Sequence, residues 1–163
     1  MIARILAVGR IVVVTVGIAI AFYWLFGGNP AAALHVVTFT TVGLVGVISF
    51  ASHVIFYKSD AERLGWTSDH PAFQFEVGFA NLAFALVAFM AFLGNWGEAA
   101  EAAIVLGYAL YLLQGMLFFI WRVFNEKKPR LWFNVVSFFL FSGMMLVFVI
   151  AALGDAGLPP FVH

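Results

Sequence analysis

The sequence predicts an all-α polytopic membrane bundle of five transmembrane helices, with a cytoplasmic N-terminus and the C-terminus outside. Three observations predict it. Of 163 residues, 64% are hydrophobic and only 10% are charged, whereas a soluble domain carries roughly a quarter charged residues. Apolar stretches of the length that crosses a bilayer core, about 20 residues, occur five times. Finally, every Lys and Arg falls on one side when the chain is threaded from a cytoplasmic N-terminus.

The first span runs from about Ile5 to Phe26 and is stopped by Gly27-Gly28-Asn29-Pro30, a run that cannot continue a helix. The second runs from about Ala32 to Tyr57. A loop from Lys58 to His70 comes next and holds five of the sixteen charges. The third span runs from about Phe73 to Leu93 and ends at Gly94-Asn95-Trp96-Gly97. The fourth runs from about Ala102 to Phe124, and the fifth, after the basic turn 125–130, from about Leu131 to Leu153. These spans leave no room for a separate soluble domain, so residues 1–163 read as one transmembrane domain.

The eight basic residues are Arg4, Arg10, Lys58, Arg63, Arg122, Lys127, Lys128 and Arg130. All lie at the N-terminus, in the second loop or around the fourth. Short loops rich in Lys and Arg stay cytoplasmic, which sets the orientation and places the protein in the inner (plasma) membrane. Arg10 falls inside the first span, where its long stem lets it snorkel to the cytoplasmic face.

Composition also excludes whole classes. Basic and acidic residues cancel, so no overall field attracts a nucleic acid. With no cysteine there is no disulfide, thiolate metal site or thiol nucleophile. No phosphate-binding glycine loop or Ser-His-Asp pattern is visible, so no catalytic residue is assigned, and the reading leans away from an enzyme while leaving that question open. His35 and His53 share one helix about 27 Å apart, His70 falls in a loop and His163 is the last residue, which argues against a bis-histidine haem. No cofactor and no metal are assigned.

Polar groups inside a membrane are costly and each needs a reason. They are His35, His53, Gln74, Glu76, Asn81, Gln114 and Asn134, and all but His35 fall in the cytoplasmic half. On a helical wheel of the third span, Gln74, Gly78, Asn81, Ala85 and Ala88 form one stripe. Glu76 shares a second face with Ala80, Ala83 and Val87. Two such faces predict a central helix packed on both sides. Glu76 is a candidate proton- or cation-binding carboxylate, and His53, at similar depth, is its expected partner. A structural reading stands beside each, since either could be satisfied by one hydrogen bond near the headgroups. Asn81 and Gln114 read first as bonds between helices.

The stretch His53-Val54-Ile55-Phe56, then Leu64-Gly65-Trp66, then Pro71-Ala72-Phe73-Gln74-Phe75-Glu76-Val77-Gly78-Phe79-Ala80-Asn81-Leu82 resembles a family of small bacterial multi-pass membrane proteins classed as a domain of unknown function. The family pattern has a glycine-histidine at the end of one span, a G-W loop, and S-P-F-Q-x-E-x-G-x-A-N-L entering the next. Here Ser52 replaces the glycine, His70 replaces the serine and Ala72 is inserted. Gln114 stands in the span where the family often has a histidine. The resemblance implies a multi-pass fold and marks His53, Gln74, Glu76 and Asn81 as the site. It implies no activity.

The expected function is therefore binding of a small ligand or a partner through the polar cluster of Glu76, His53, Asn81, Gln74 and Gln114. Two alternatives stand beside it: a proton- or ion-coupled carrier using Glu76 and His53, and an accessory subunit of a membrane redox or lipid-pathway complex. The expected partners are the lipid bilayer and either further copies of the chain or a membrane-complex protein.

Overall fold

The structure is a computed structural model that describes residues 2–66 and 71–157. His70 and His163, both set aside above as haem ligands, lie outside the described residues. The described chain is all helical: α1 (Ile2–Phe26), α2 (Pro30–Ile55), α3 (Tyr57–Leu64), α4 (Ala72–Gly94), α5 (Glu98–Asn125), a 3-10 turn (Pro129–Leu131) and α6 (Trp132–Asp155). Helices α1, α2, α4, α5 and α6 are long and apolar enough to cross a membrane, by length and composition. They coincide with the five expected spans. The largest offset is at α5, which begins at Glu98 rather than Ala102.

Local chemistry explains the boundaries. The α1 helix is rich in Val and Ile, weak helix formers in water. In an apolar solvent such residues hold a helix, because every backbone group must bond within its own segment. Asn29 caps α2 by accepting from the Ala32 N–H at 2.9 Å, and Pro30 occupies the first turn, where its missing donor costs nothing. Within α2, Thr38–Leu44 and Ala51–Ile55 wind as π-helix. Each such turn inserts a residue and rotates the helix beyond it. Phe56 leaves helical geometry (φ −108°, ψ 31°), and α3 begins beyond it. Gly65 ends α3 in the left-handed region (φ 67°), where glycine carries no Cβ penalty.

Two expectations are corrected. The charged Lys58–His70 segment is not simply a loop, because Tyr57–Leu64 forms α3. The helix at the centre is α2, not α4: α2 packs on α1, α4, α5 and α6. Half of its most apolar window is buried, against 28% for α4.

The α4 stripe of Gln74, Gly78, Asn81, Ala85 and Ala88 is buried as expected. It lies against α2, where a Cβ on Gly46 would come within 2.7 Å of the Asn81 carbonyl oxygen. The second α4 face is open: Glu76, Ala83 and Val87 are exposed. Helix α4 is therefore packed on one side only. Helices α5 and α6 form an extensive antiparallel pair. The main core gathers beyond the cavity, around Ile18, Ala21, Leu34, Val37, Met145, Phe148 and Ala152.

Candidate functional site

Near the basic end the helices part around a cavity of about 380 Å³. It draws lining residues from all six helices, including Arg10 and Val14 of α1, Thr41, Ser49 and His53 of α2, and Arg63 of α3. Val77 and Asn81 of α4, Tyr108, Leu112 and Phe119 of α5, and Ser137, Phe138 and Phe141 of α6 complete it. The π segments of α2 supply Thr41 and His53 to the wall. Several lining residues are also exposed on the bundle surface, among them Ile11, Phe73, Gln114, Phe118 and Phe133. They mark a lateral opening.

Three polar groupings face or back this space. In the first, Arg10 Nη1 donates to Ser49 Oγ at 3.2 Å. Arg10 thus turns inward, in place of the outward snorkelling expected for it. In the second, the Tyr108 hydroxyl donates to Asn81 Oδ1 at 2.9 Å, and Asn81 Nδ2 donates to Val77 O at 2.7 Å and to the Tyr111 hydroxyl at 3.0 Å. Asn81 therefore bonds α4 to α5, as expected of it.

The third grouping centres on Asp60, whose side chain is fully buried. Its Oδ1 accepts from Ser52 Oγ at 3.0 Å and from Arg63 Nε and Nη2 at 3.1 and 2.7 Å. Its Oδ2 lies 2.7 Å from His53 Nδ1. Burial pushes the Asp60 carboxyl up, but His53 and Arg63 together outweigh it and hold the group well below the usual carboxylate range.

A clamp adjoins this end. Buried Arg122 donates to Leu64 O and Gly65 O at 3.2 and 3.1 Å, satisfying carbonyls at the end of α3. It also forms a two-pronged pair with Glu126, at 2.8 Å on each oxygen. Lys128 lies 2.7 Å from the same carboxylate, and the two cations hold Glu126 down to about 2.

Of the residues expected to form the site, His53 and Asn81 line the cavity, and Gln114 borders it as an exposed residue. Gln74 lies outside this wall and ties α4 to α3 by donating to Tyr57 O at 3.2 Å. Glu76 does not join them. The α4 face that meets α2 carries Gly78, where a Cβ would lie 3.2 Å from His53 Cβ. Glu76 is about 200° around the helix from Gly78, and it is exposed. The carboxylate beside His53 is Asp60.

Sequence reasoning missed Arg10, Ser49, Asp60, Tyr108 and Tyr111. A signal existed for two of them: Tyr108 and Tyr111 are three residues apart, hence on one face of α5. It also missed a pair at the opposite end, where His35 Nδ1 lies 2.7 Å from Glu101 Oε1 and the imidazole stacks on Phe92 at 4.0 Å. Among the described residues no three His, Asp or Glu side chains gather as metal ligands.

A family profile described as a family of unknown function, DUF6790, matches residues 4–154. The chain belongs to that family. The match covers almost the whole sequence and agrees with the expectation of a family of unknown function. No curated protein and no solved structure matches the chain. In this DUF6790 member, then, chemistry must be read from the cavity: apolar walls, a lateral opening, and hydrogen-bonding groups gathered on part of the surface. Such a space can hold and orient a small amphipathic molecule.

Proposed function

We propose that this chain is a five-span integral membrane protein of the plasma membrane whose cavity binds one small amphipathic ligand arriving from the bilayer. Its N-terminus and its basic segments face the cytoplasm. The single observation that carries the binding reading is the cavity itself. Its volume falls in the range of small-molecule sites, roughly 300–1,000 Å³. All six helices contribute to it, and Arg10, Ser49, His53, Arg63 and Asn81 bring polar groups to its wall. The lateral opening between apolar side chains suits a ligand that partitions into lipid.

The orientation is supported by the placement of Lys and Arg, since charge bias in short loops governs insertion. The open face of α4 supports no carrier path through Glu76 and His53, because the two side chains lie on different sides of that helix.

The test is retention. Protein purified in a mild detergent and sprayed under native conditions is expected to carry one small amphiphile per chain. Leu112→Trp, which fills the cavity, is expected to lose it while keeping thermal stability. Leu112→Trp and wild type retaining the same molecule equally would overturn the reading. Ser137→Trp provides a second blocked variant on the opposite wall.

A further inference from the structure

We infer that the molecule held in this cavity is a single-chain monoanionic amphiphile, with its acidic head on Arg10 and its hydrocarbon chain against the aromatic wall. The inference rests on the cavity being a ligand site and adds the chemical class.

The charges around the cavity decide that class. A guanidinium withdrawn from water needs a counter-charge or a full set of acceptors. Arg122 has both, in two backbone carbonyls and a two-pronged carboxylate. Arg63 has Asp60. Arg10 has one described bond, to Ser49 Oγ, and among the described residues no carboxylate lies within 4.0 Å of it. Its Nε and Nη2 have no described hydrogen bond. Arg10 itself lines the cavity.

The other acids are elsewhere. Asp60 is closed off by Ser52, His53 and Arg63. Glu62 and Glu76 are exposed. Glu101 pairs with His35 at the far end, and Glu126 with Arg122 and Lys128. Glu98 begins α5 and Asp155 ends α6, both at that far end. Asp69 lies outside the described residues.

Among the permanently charged groups on the cavity wall, Arg63 is neutralised by Asp60 and Arg10 is left. One negative charge matches the permanent charge left over. The planar fork of Arg10 matches a carboxylate or a phosphodiester. Ser49 Oγ, which accepts from Arg10, lies beside it on the wall. The hydroxyl protons of Tyr108 and Tyr111 are already directed to Asn81 Oδ1 and Val77 O, so they shape the head site without supplying charge. Leu112, Phe119, Phe138 and Phe141 offer an apolar path for one chain.

The experiment uses the full-length protein, delipidated in a non-ionic detergent, with three probes: hexadecanoate, hexadecanol and a lysophosphatidylglycerol. Binding is read by native mass spectrometry and by thermal shift. Hexadecanoate or the lysophosphodiester is expected to bind one per chain, at least tenfold tighter than hexadecanol, and whichever of the two binds tighter identifies the head. Arg10→Gln is expected to remove that preference and leave hexadecanol binding unchanged. Arg10→Lys, which keeps the charge, is expected to retain the preference and carries the test if Arg10→Gln does not fold. Equal binding of hexadecanol and the anions to wild type would overturn the class while leaving the cavity reading intact. Binding of none of the three would overturn both. Tighter hexadecanoate binding in Asp69→Asn would show that Arg10 already has its counter-charge within the chain, and would also overturn the assignment.

Discussion

The imidazole of His53 and the carboxylate of Asp60 meet at 2.7 Å although Phe56 breaks the helix between them. That contact folds α3 back onto the end of α2 and fixes one corner of the cavity. With Ser52 and Arg63 it forms a closed polar cluster in which Asp60 is the common acceptor. Removing the charge of this common acceptor leaves Arg63 without its counter-ion, which costs more than losing one bond.

Asp60→Asn is therefore expected to destabilise the fold by about 3 kcal/mol, the scale for breaking a buried ion pair, read as a lowered midpoint in thermal unfolding. The sign of the pH dependence is set by the same contacts. The folded-state Asp60 carboxyl titrates below its unfolded value, roughly 3.9. Its stabilisation is complete above that value and is lost as pH falls toward the folded one. Wild type should thus show no loss from this group down to about pH 5 and a decline below about pH 4. Asp60→Asn should start lower and lack that component of the decline. Parallel curves for the two proteins would refute the role assigned to Asp60.

Glu76→Gln separates the exposed face from the cavity. Glu76 lies on the open side of α4 and has no described partner within the chain. Substitutions at such positions change stability by less than about 0.5 kcal/mol. The variant is expected to unfold like wild type and to retain the cavity ligand equally in native mass spectra. Loss of ligand in Glu76→Gln would return this carboxylate to the site.

Much of the bundle was legible because long apolar helices follow simple rules. The five spans come from length and apolarity, and the buried stripe from Gln74 to Ala88 comes from the 3.6-residue period of α4. Three features resisted for physical reasons. The π turns of α2 shift its register, so a regular wheel cannot say which way His53 points. Asp60 belongs to a short helix that reads as a charged loop, and its pairing depends on the break at Phe56. Arg10 can reach outward or inward with one side chain, and only the helices opposite decide which. Glu76 was the most conspicuous acid, but conspicuousness in a sequence measures transfer cost, not direction.

Gly46 sets the spacing between α2 and α4. A Cβ there would approach the Asn81 carbonyl oxygen to 2.7 Å and the Ala85 Cβ to 2.8 Å. Backbone cannot give way as a flexible side chain does, so α4 must shift. Gly46→Val is expected to cost about 2 kcal/mol, within the range for overpacking. It should also weaken ligand retention, because displacing Asn81 disturbs its bonds to Tyr108 and Tyr111. Unchanged stability in thermal unfolding would show that the two helices are not held at this distance.

The orientation can be checked with unusual directness, because the chain has no cysteine of its own. Single substitutions can report sidedness without background. Glu62 on α3 and Ala99 at the start of α5 are both exposed, and α4 separates them. At 1.5 Å per residue, the 23 residues of α4 span roughly 35 Å, enough to cross the hydrocarbon core. The Lys and Arg placement assigns Glu62 to the cytoplasm and Ala99 to the outside. A membrane-impermeant maleimide applied to intact cells should label Ala99→Cys and leave Glu62→Cys untouched until the cells are permeabilised. The reverse pattern would invert the bundle and put the Arg10 end of the cavity at the outer leaflet. Labelling of both from one side would mean that α4 does not cross, and the five-span topology would fail with it.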